Sequence, residues 1–163
     1  MLTIISPWSR HKDNAKNYPY WNKLVFGLSV RGWNFCQVGV GDEYKIPGCE
    51  YKFNLTLPEL EKLALDVGHF IAIDNFYHHM AYSLGIKGVT LFGPSDPLIF
   101  GYPTQTNILK SREFLRKDQF GFYKDYKWKN AQEGWYEAEE VIRRILEDGS
   151  RSEAGGVSTV ESA

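Results

Sequence analysis

Acidic, amide and imidazole side chains cluster where an apolar run ends, within the stretch 69–97. Residues 70–73 are almost continuously apolar and stop at Asp74, which is typical of a parallel strand buried on both faces. Asn75 then offers an N-cap for a helix, and His79 lies one turn into that helix on the same side. Because the first turn of a helix favours anions, this junction can bind a phosphate or hydroxyl-bearing ligand.

A βαβ unit positions these side chains. Phe76, Met80 and Leu84 recur at helical spacing and predict the buried face of a short helix. Residues 87–92 form a second apolar strand, which ends at the glycine and prolines of 93–97. Since parallel strands end at one crevice, we expect this loop to face the carboxylate that ends the first strand. A simple capping or solvated turn carboxylate is the alternative interpretation, and the sequence leaves both open.

Two further loops follow predicted strands near the amino terminus. Residues 2–5 form an apolar strand, and the donor-rich loop after it contains Ser9 and leads to Lys16, just before a helix that Pro19 can open. A solvated surface lysine is the alternative for Lys16. The loop that contains Ser9 therefore supplies candidate hydrogen-bond donors at this edge of the sheet.

The strand 34–38 leads into a glycine-containing turn that ends with Glu43. Its Gly-x-Gly start is similar to a dinucleotide fingerprint, but Tyr44 occupies the third glycine position, so the turn does not predict NAD binding. Glu43 can still accept hydrogen bonds from ribose hydroxyls, as acidic residues do after such strands. A plain turn carboxylate is an equally good interpretation.

These motifs resemble those of glycosyltransferase family 9, the heptosyltransferases. The stretches DNFYHHMA at 74–81 and LFGPSDP at 91–97 are similar to the family's Asp-Ser/Thr-Gly-x-x-His-Leu-Ala and Leu-Phe-Gly-Pro-Thr motifs, and KNYP at 16–19 is similar to Lys-x-Trp-Pro. Asn75 replaces Ser/Thr, and Phe76 replaces a glycine that would let a ligand approach the backbone closely.

The resemblance implies an α/β fold, a Rossmann-like open parallel sheet with helices on both faces, equivalent to the C-terminal half of a GT-B glycosyltransferase. It implies a nucleotide diphosphate sugar as donor substrate, with no metal and no other cofactor. The donor-binding residues that it implies, together with those predicted above, are Ser9, Lys16, Glu43, Asp74, Asn75, Phe76 and His79.

The resembled family places its acceptor site and the carboxylate that deprotonates the acceptor in an amino-terminal domain, which this sequence does not match. The resemblance therefore implies either that a separate polypeptide is the partner that supplies the acceptor domain or that the chain is a fragment of a longer enzyme. A non-catalytic nucleotide or nucleotide-sugar binding module is the alternative function. His78 and His79 do not predict a metal site, because adjacent helical side chains point about 100° apart.

Composition limits the remaining possibilities. The 163 residues carry a net charge of −1, so no global field favours nucleic acid, although basic and aromatic residues alternate in 111–129. Two cysteines and the lack of a long apolar run predict a cytoplasmic protein without a transmembrane segment. We predict one Rossmann-like domain at 1–147, in which residues 44–55 are irregular and residues 133–147 form the last helix, and a polar, disordered tail at 148–163.

Overall fold

The computed structural model describes residues 2–10, 13–120 and 132–153. Its strands are β1 (Leu2–Ser6), β2 (Asn34–Gly39), β3 (Cys49–Phe53), β4 (His69–Ile73), β5 (Lys87–Phe92) and β6 (Thr106–Leu109). Its helices are α1 (Trp21–Ser29), α2 (Leu57–Val67), α3 (Phe76–Ser83), α4 (Pro97–Phe100) and α5 (Ala138–Glu153), with a 3-10 turn at Arg112–Phe114.

The strands form one open sheet in the order β3-β2-β1-β4-β5-β6, and every neighbouring pair is parallel. The chain adds strands on one side of β1 and then on the other, so the topological switch lies between β1 and β4. Ligands of open α/β sheets bind at the carboxyl ends of the strands at such a switch. The predicted βαβ unit, β4-α3-β5, therefore begins beside the switch.

Two hydrophobic cores cover the two faces of the sheet. Alternate side chains of one strand enter opposite cores, as Ile5 packs with α1 and α5 while Ile4 packs with α2 and α3. Both isoleucines are fully buried. The predicted Rossmann-like arrangement, with a parallel sheet and helices on both faces, is confirmed.

The edge strand β3 was not predicted, because residues 44–55 were expected to be irregular. Its central residues are exposed, so it lacks the apolar run that indicates a buried strand. Buried Gln37 holds the preceding segment, since its amide donates to the Tyr44 carbonyl at 2.8 Å and accepts from the Ile46 amide at 2.7 Å. The strand therefore depends on a long-range contact that local periodicity does not reveal.

The carboxyl-terminal helix also differs from its predicted bounds. It was expected from Glu133 to Glu147, but α5 begins at Ala138 and continues to Glu153, into the segment predicted to be disordered. Residues 154–163 of the predicted tail and residues 121–129 of the basic, aromatic segment lie outside the described residues. Within the described ranges, no helix is both long and apolar enough to span a bilayer.

Candidate functional site at the carboxyl edge of the sheet

Asn75 joins the ends of the two strands that flank the topological switch. Its side-chain oxygen accepts a hydrogen bond from the Tyr77 amide at 3.0 Å and so caps α3. Its amide nitrogen donates to the carbonyls of Ser6, at 3.0 Å, and Trp8, at 3.2 Å. The side chain predicted to bind the donor thus holds the end of β1 against the start of α3.

Asp74 lies at the centre of the site, where β4 ends. The Lys16 ammonium is 3.6 Å from Asp74 Oδ2 and 3.3 Å from the Asp74 carbonyl oxygen. His79 Nε2 is 3.6 Å from Asp74 Oδ1, and Ser95 of the loop after β5 approaches the same carboxylate. The structure thus brings together three of the predicted residues, Lys16, Asp74 and His79, from separate segments of the chain.

The Asp74 carboxylate is ionised although its side chain is only 7% exposed. Burial alone would raise the pKa of Asp74, but His79, the Lys16 ammonium and the Ser95 hydroxyl together hold that pKa below its usual value. His79 is the accessible member of the group, with 40% of its side chain exposed. A ligand can therefore reach His79, with the ionised Asp74 carboxylate directly beside it.

His78 has a structural role that the sequence did not reveal. Its side chain is fully buried, with Nδ1 3.1 Å from the Asn75 amide nitrogen and Nε2 3.0 Å from the Phe100 carbonyl oxygen. The first contact completes a capping box at the start of α3. The second ties α3 to the end of α4.

Asp74, His78 and His79 also form a group whose ligand atoms lie within 4.8 Å of one another, a spacing that suits a metal ion. Both ring nitrogens of His78 already contact backbone groups, and the Lys16 ammonium stands 3.6 Å from the carboxylate. A metal ion would have to displace the backbone contacts of His78 and approach the positively charged Lys16 ammonium. These contacts favour a neutral or anionic ligand over a metal ion.

The predicted residues Ser9 and Glu43 lie outside the contact group formed by Lys16, Asp74 and His79. Both the amide and the hydroxyl of Ser9 hydrogen-bond Asn17 Oδ1, each at 2.9 Å, which connects the loop after β1 to the segment carrying Lys16. Glu43 lies against Gly39, whose missing side chain leaves space for its carboxylate. Burial raises the pKa of Glu43.

Phe76 is 62% exposed, so the prediction that it belongs to the buried face of α3 is wrong. The residues of α3 that are buried are Tyr77, His78, Met80 and Ala81. Phe76 is the first residue after the N-cap, at the carboxyl edge of the sheet, and it belongs to neither hydrophobic core.

Ser95 and Tyr102 belong to the site but were not predicted as site residues. Ser95 falls in the loop that was expected to face Asp74, so its position followed from the βαβ reading although its contact did not. The Tyr102 hydroxyl lies 2.5 Å from His79 Nδ1. No local motif marks that tyrosine, which lies 23 residues away from its partner.

The fold is that of one Rossmann-like unit of the GT-B glycosyltransferases. Among solved structures it is similar to the iron-containing dodecameric glycosyltransferase TibC of enterotoxigenic E. coli, at 19% identity and a TM-score of 0.71, covering 96% of this chain and 48% of that one. It is also similar to the E. coli heptosyltransferase WaaC with ADP, at 15% identity and a TM-score of 0.66, covering 90% and 44%.

A glycosyltransferase family 9 protein of Veillonella parvula is similar at 16% identity and a TM-score of 0.68, with 90% of this chain and 45% of that chain covered. The chain thus spans less than half the length of the structures that it matches. No family model matches the sequence, and no curated protein matches it either. The resemblance to heptosyltransferases is confirmed in the fold.

Proposed function

We propose that the domain binds a nucleotide diphosphate sugar and is the donor-binding part of a heptosyltransferase-like glycosyltransferase. The main support is the buried, ionised Asp74 at the topological switch, with Lys16 and His79 each 3.6 Å from it. A cation beside hydroxyl-binding groups suits a ligand that combines phosphates with a sugar. The likeness in fold to WaaC, a heptosyltransferase solved with ADP, is consistent with this.

In this mechanism the protein stabilises the leaving group. Breaking the bond between the anomeric carbon and its oxygen leaves negative charge on the distal phosphate, and a preorganised cation lowers the barrier by stabilising that charge. Lys16 would supply the cation, and the amino end of α3 and the Ser9 hydroxyl would add hydrogen-bond donors. Asp74 and His79 would hold the sugar through its hydroxyls, and Glu43 would bind the ribose.

Transfer also needs a base that deprotonates the acceptor hydroxyl. In this proposal the base and the acceptor site lie in an acceptor domain, carried by a separate polypeptide or by a further segment. The described residues would then form one wall of a crevice between two domains, and the exposed Phe76 would face that second domain.

The proposal is tested by measuring thermal stability with a series of ADP-, GDP- and UDP-hexoses. At a ligand concentration 100 times the Kd, binding stabilises a fold by about 2.7 kcal/mol, which raises Tm measurably. Asp74→Asn keeps the side-chain volume but removes the charge, and we expect it to abolish the ligand-induced rise in Tm.

Asp66→Asn is the matched control, because Asp66 is an exposed carboxylate whose partner is Lys62 on the same helix. It should retain the full ligand-induced rise. The rises are compared within each variant, so a change in baseline Tm does not affect the result. If Asp74→Asn responds to the ligand as the wild type does, the proposed site is wrong.

The second candidate is a binding module without turnover, and the exposed Phe76 favours it. A phenylalanine at the position of the family's glycine restricts the close approach of a pyrophosphate to the backbone, so a nucleotide would bind in a pose different from the one that the family uses for transfer. Transfer assays with the wild type, alone and with a candidate acceptor-domain protein, separate the two functions. Binding without transfer in the presence of an acceptor domain would support the module.

A further inference from the structure

Tyr102 contacts His79, the side chain beside Asp74 that is 40% exposed. It lies in the turn after α4, and its hydroxyl oxygen is 2.5 Å from His79 Nδ1. The two rings meet edge to face, with centroids 5.6 Å apart. His79 therefore lies between two groups, with the Tyr102 hydroxyl at Nδ1 and the Asp74 carboxylate facing Nε2.

The position of the Tyr102 hydroxyl is fixed by its surroundings. Its ring stacks on Tyr82, one turn beyond His79 on α3, with centroids 3.8 Å apart and planes 7° from parallel. Its carbonyl oxygen accepts hydrogen bonds from the Gln105 amide and from the Asn107 side chain, each at 3.0 Å. The tyrosine is thus held by both its ring and its backbone, which preorganises its hydroxyl.

Two neighbours favour one direction for this hydrogen bond: the Tyr102 hydroxyl can donate to Nδ1, and the Asp74 carboxylate that faces Nε2 can only accept. Burial, with smaller effects of Tyr82 and Asp74, raises the pKa of Tyr102, so its hydroxyl keeps its proton at neutral pH. The neutral imidazole has one donor and one acceptor nitrogen. When Nδ1 accepts a hydrogen bond from the Tyr102 hydroxyl, the ring proton of neutral His79 is on Nε2. This nitrogen is 3.6 Å from Asp74 Oδ1.

We propose that Tyr102 is a positioning residue that fixes His79 as the Nε2–H tautomer, so that His79 and Asp74 together recognise a sugar hydroxyl. Such a hydroxyl accepts from His79 Nε2–H and donates to the Asp74 carboxylate, which matches both of its hydrogen-bonding functions. The tautomer is a property of the protein alone, whereas the hydroxyl ligand rests on the proposed function.

The tautomer is tested without ligand, by measuring the imidazole 15N chemical shifts of His79 at neutral pH. Wild-type protein should show a protonated Nε2 and an unprotonated Nδ1, and Tyr102→Phe should show a mixture of tautomers. Tyr51→Phe is the control, because it also removes a tyrosine hydroxyl that hydrogen-bonds, here to the Ile46 carbonyl at 2.6 Å. An unchanged His79 spectrum in Tyr102→Phe would overturn the inference.

The role in recognition is tested with the hexose derivative that stabilises the wild type most and with its parent nucleoside diphosphate. Tyr102→Phe should weaken binding of the sugar derivative about fivefold to tenfold and change binding of the diphosphate less than about twofold. In a His79→Gln background the same change should have no further effect, because Tyr102 acts through His79.

Equal weakening of both ligands, or additive effects in the double variant, would show that Tyr102 does not act on a sugar hydroxyl through His79. A protein that binds none of the sugar derivatives would overturn the hydroxyl-recognition part together with the proposed function. The 15N spectra would then still decide the tautomer, so failure of the function and failure of the positioning role give different results.

Discussion

At the scale of single residues, the site depends on the negative charge of Asp74, which neighbouring side chains stabilise. Asp74 is buried, and burial alone would favour its neutral form. The Lys16 ammonium and the His79 and Ser95 side chains reverse that preference. Lys16 itself is only 16% exposed on its side chain, so the pair is weakly screened by solvent.

Replacing Lys16 should therefore change the titration of its neighbour. Lys16→Gln removes the cation, and we expect the pKa of the Asp74 carboxyl to rise because burial is then less opposed. Titration of the Asp74 carboxyl followed by 13C NMR measures this directly. Lys62→Gln, on the exposed surface of α2, is the control and should leave the curve of Asp74 unchanged; an unchanged curve in Lys16→Gln as well would contradict the pairing.

At the scale of elements, α3 carries the site because its first turn is held from several directions. Asn75 caps the helix and connects it to β1, while His78 completes the capping box and reaches Phe100 at the end of α4. The loop after β5 is held in turn by Arg112, whose guanidinium forms two hydrogen bonds with the Asp96 carboxylate at 2.9 and 2.7 Å. These contacts hold α3, α4 and the loop after β5 in fixed positions relative to one another.

The capping histidine makes the stability of α3 depend on pH. Burial lowers the pKa of His78 in the folded protein, whereas an unfolded histidine titrates at about 6.5. The folded state binds fewer protons between these two values, so the contribution of His78 is present above about pH 6.5 and is lost as pH falls toward the folded pKa.

His78→Gln should flatten this dependence, because glutamine also suits the capping-box position but does not titrate. We expect its free energy of unfolding, measured by urea denaturation from pH 7.5 to 5, to fall less than that of the wild type. His69, whose pKa burial also lowers, is present in both proteins, so the difference reports His78. Parallel profiles would show that His78 does not titrate as proposed.

At the scale of the whole molecule, the sheet separates two cores, and its strands leave little room for additional atoms. Gly88 of β5 pairs with Phe70 of β4, which is fully buried. A Cβ atom at Gly88 would lie 2.4 Å from the Phe70 ring and 2.6 Å from the Phe70 carbonyl oxygen. The ring can shift, but the carbonyl belongs to the sheet itself.

Gly88→Ala should therefore destabilise the whole domain by about 1–3 kcal/mol, as overpacking of a core does. Gly149→Ala in α5 is the opposite case, because nothing lies within 4 Å of an added Cβ and alanine is the better helix former. It should stabilise the domain by up to about 1 kcal/mol. Urea denaturation measures both, and similar values for the two variants would contradict this account of the packing.

Much of this architecture was predictable because it is written in local patterns. The strand before Asp74, the Asn75 cap and the loop at 93–97 each follow from apolar periodicity and capping preferences. The parallel order brings strand ends to one edge, and the resemblance of residues 16–19 to the family's Lys-x-Trp-Pro motif led to the prediction that Lys16 lies there too. The exposed position of Phe76 was not predictable, because Phe76 shares the helical spacing of the buried Met80 and yet lies outside both cores.

The sequence by itself determined the class of fold, the edge at which the site lies and three of the side chains that meet there. Only the tertiary structure decided that β3 joins the sheet, that His78 is a buried cap and that Tyr102 holds His79. The physical reason is range: periodicity and caps act within a few residues, whereas these contacts join segments whose separation in the chain carries no local signal.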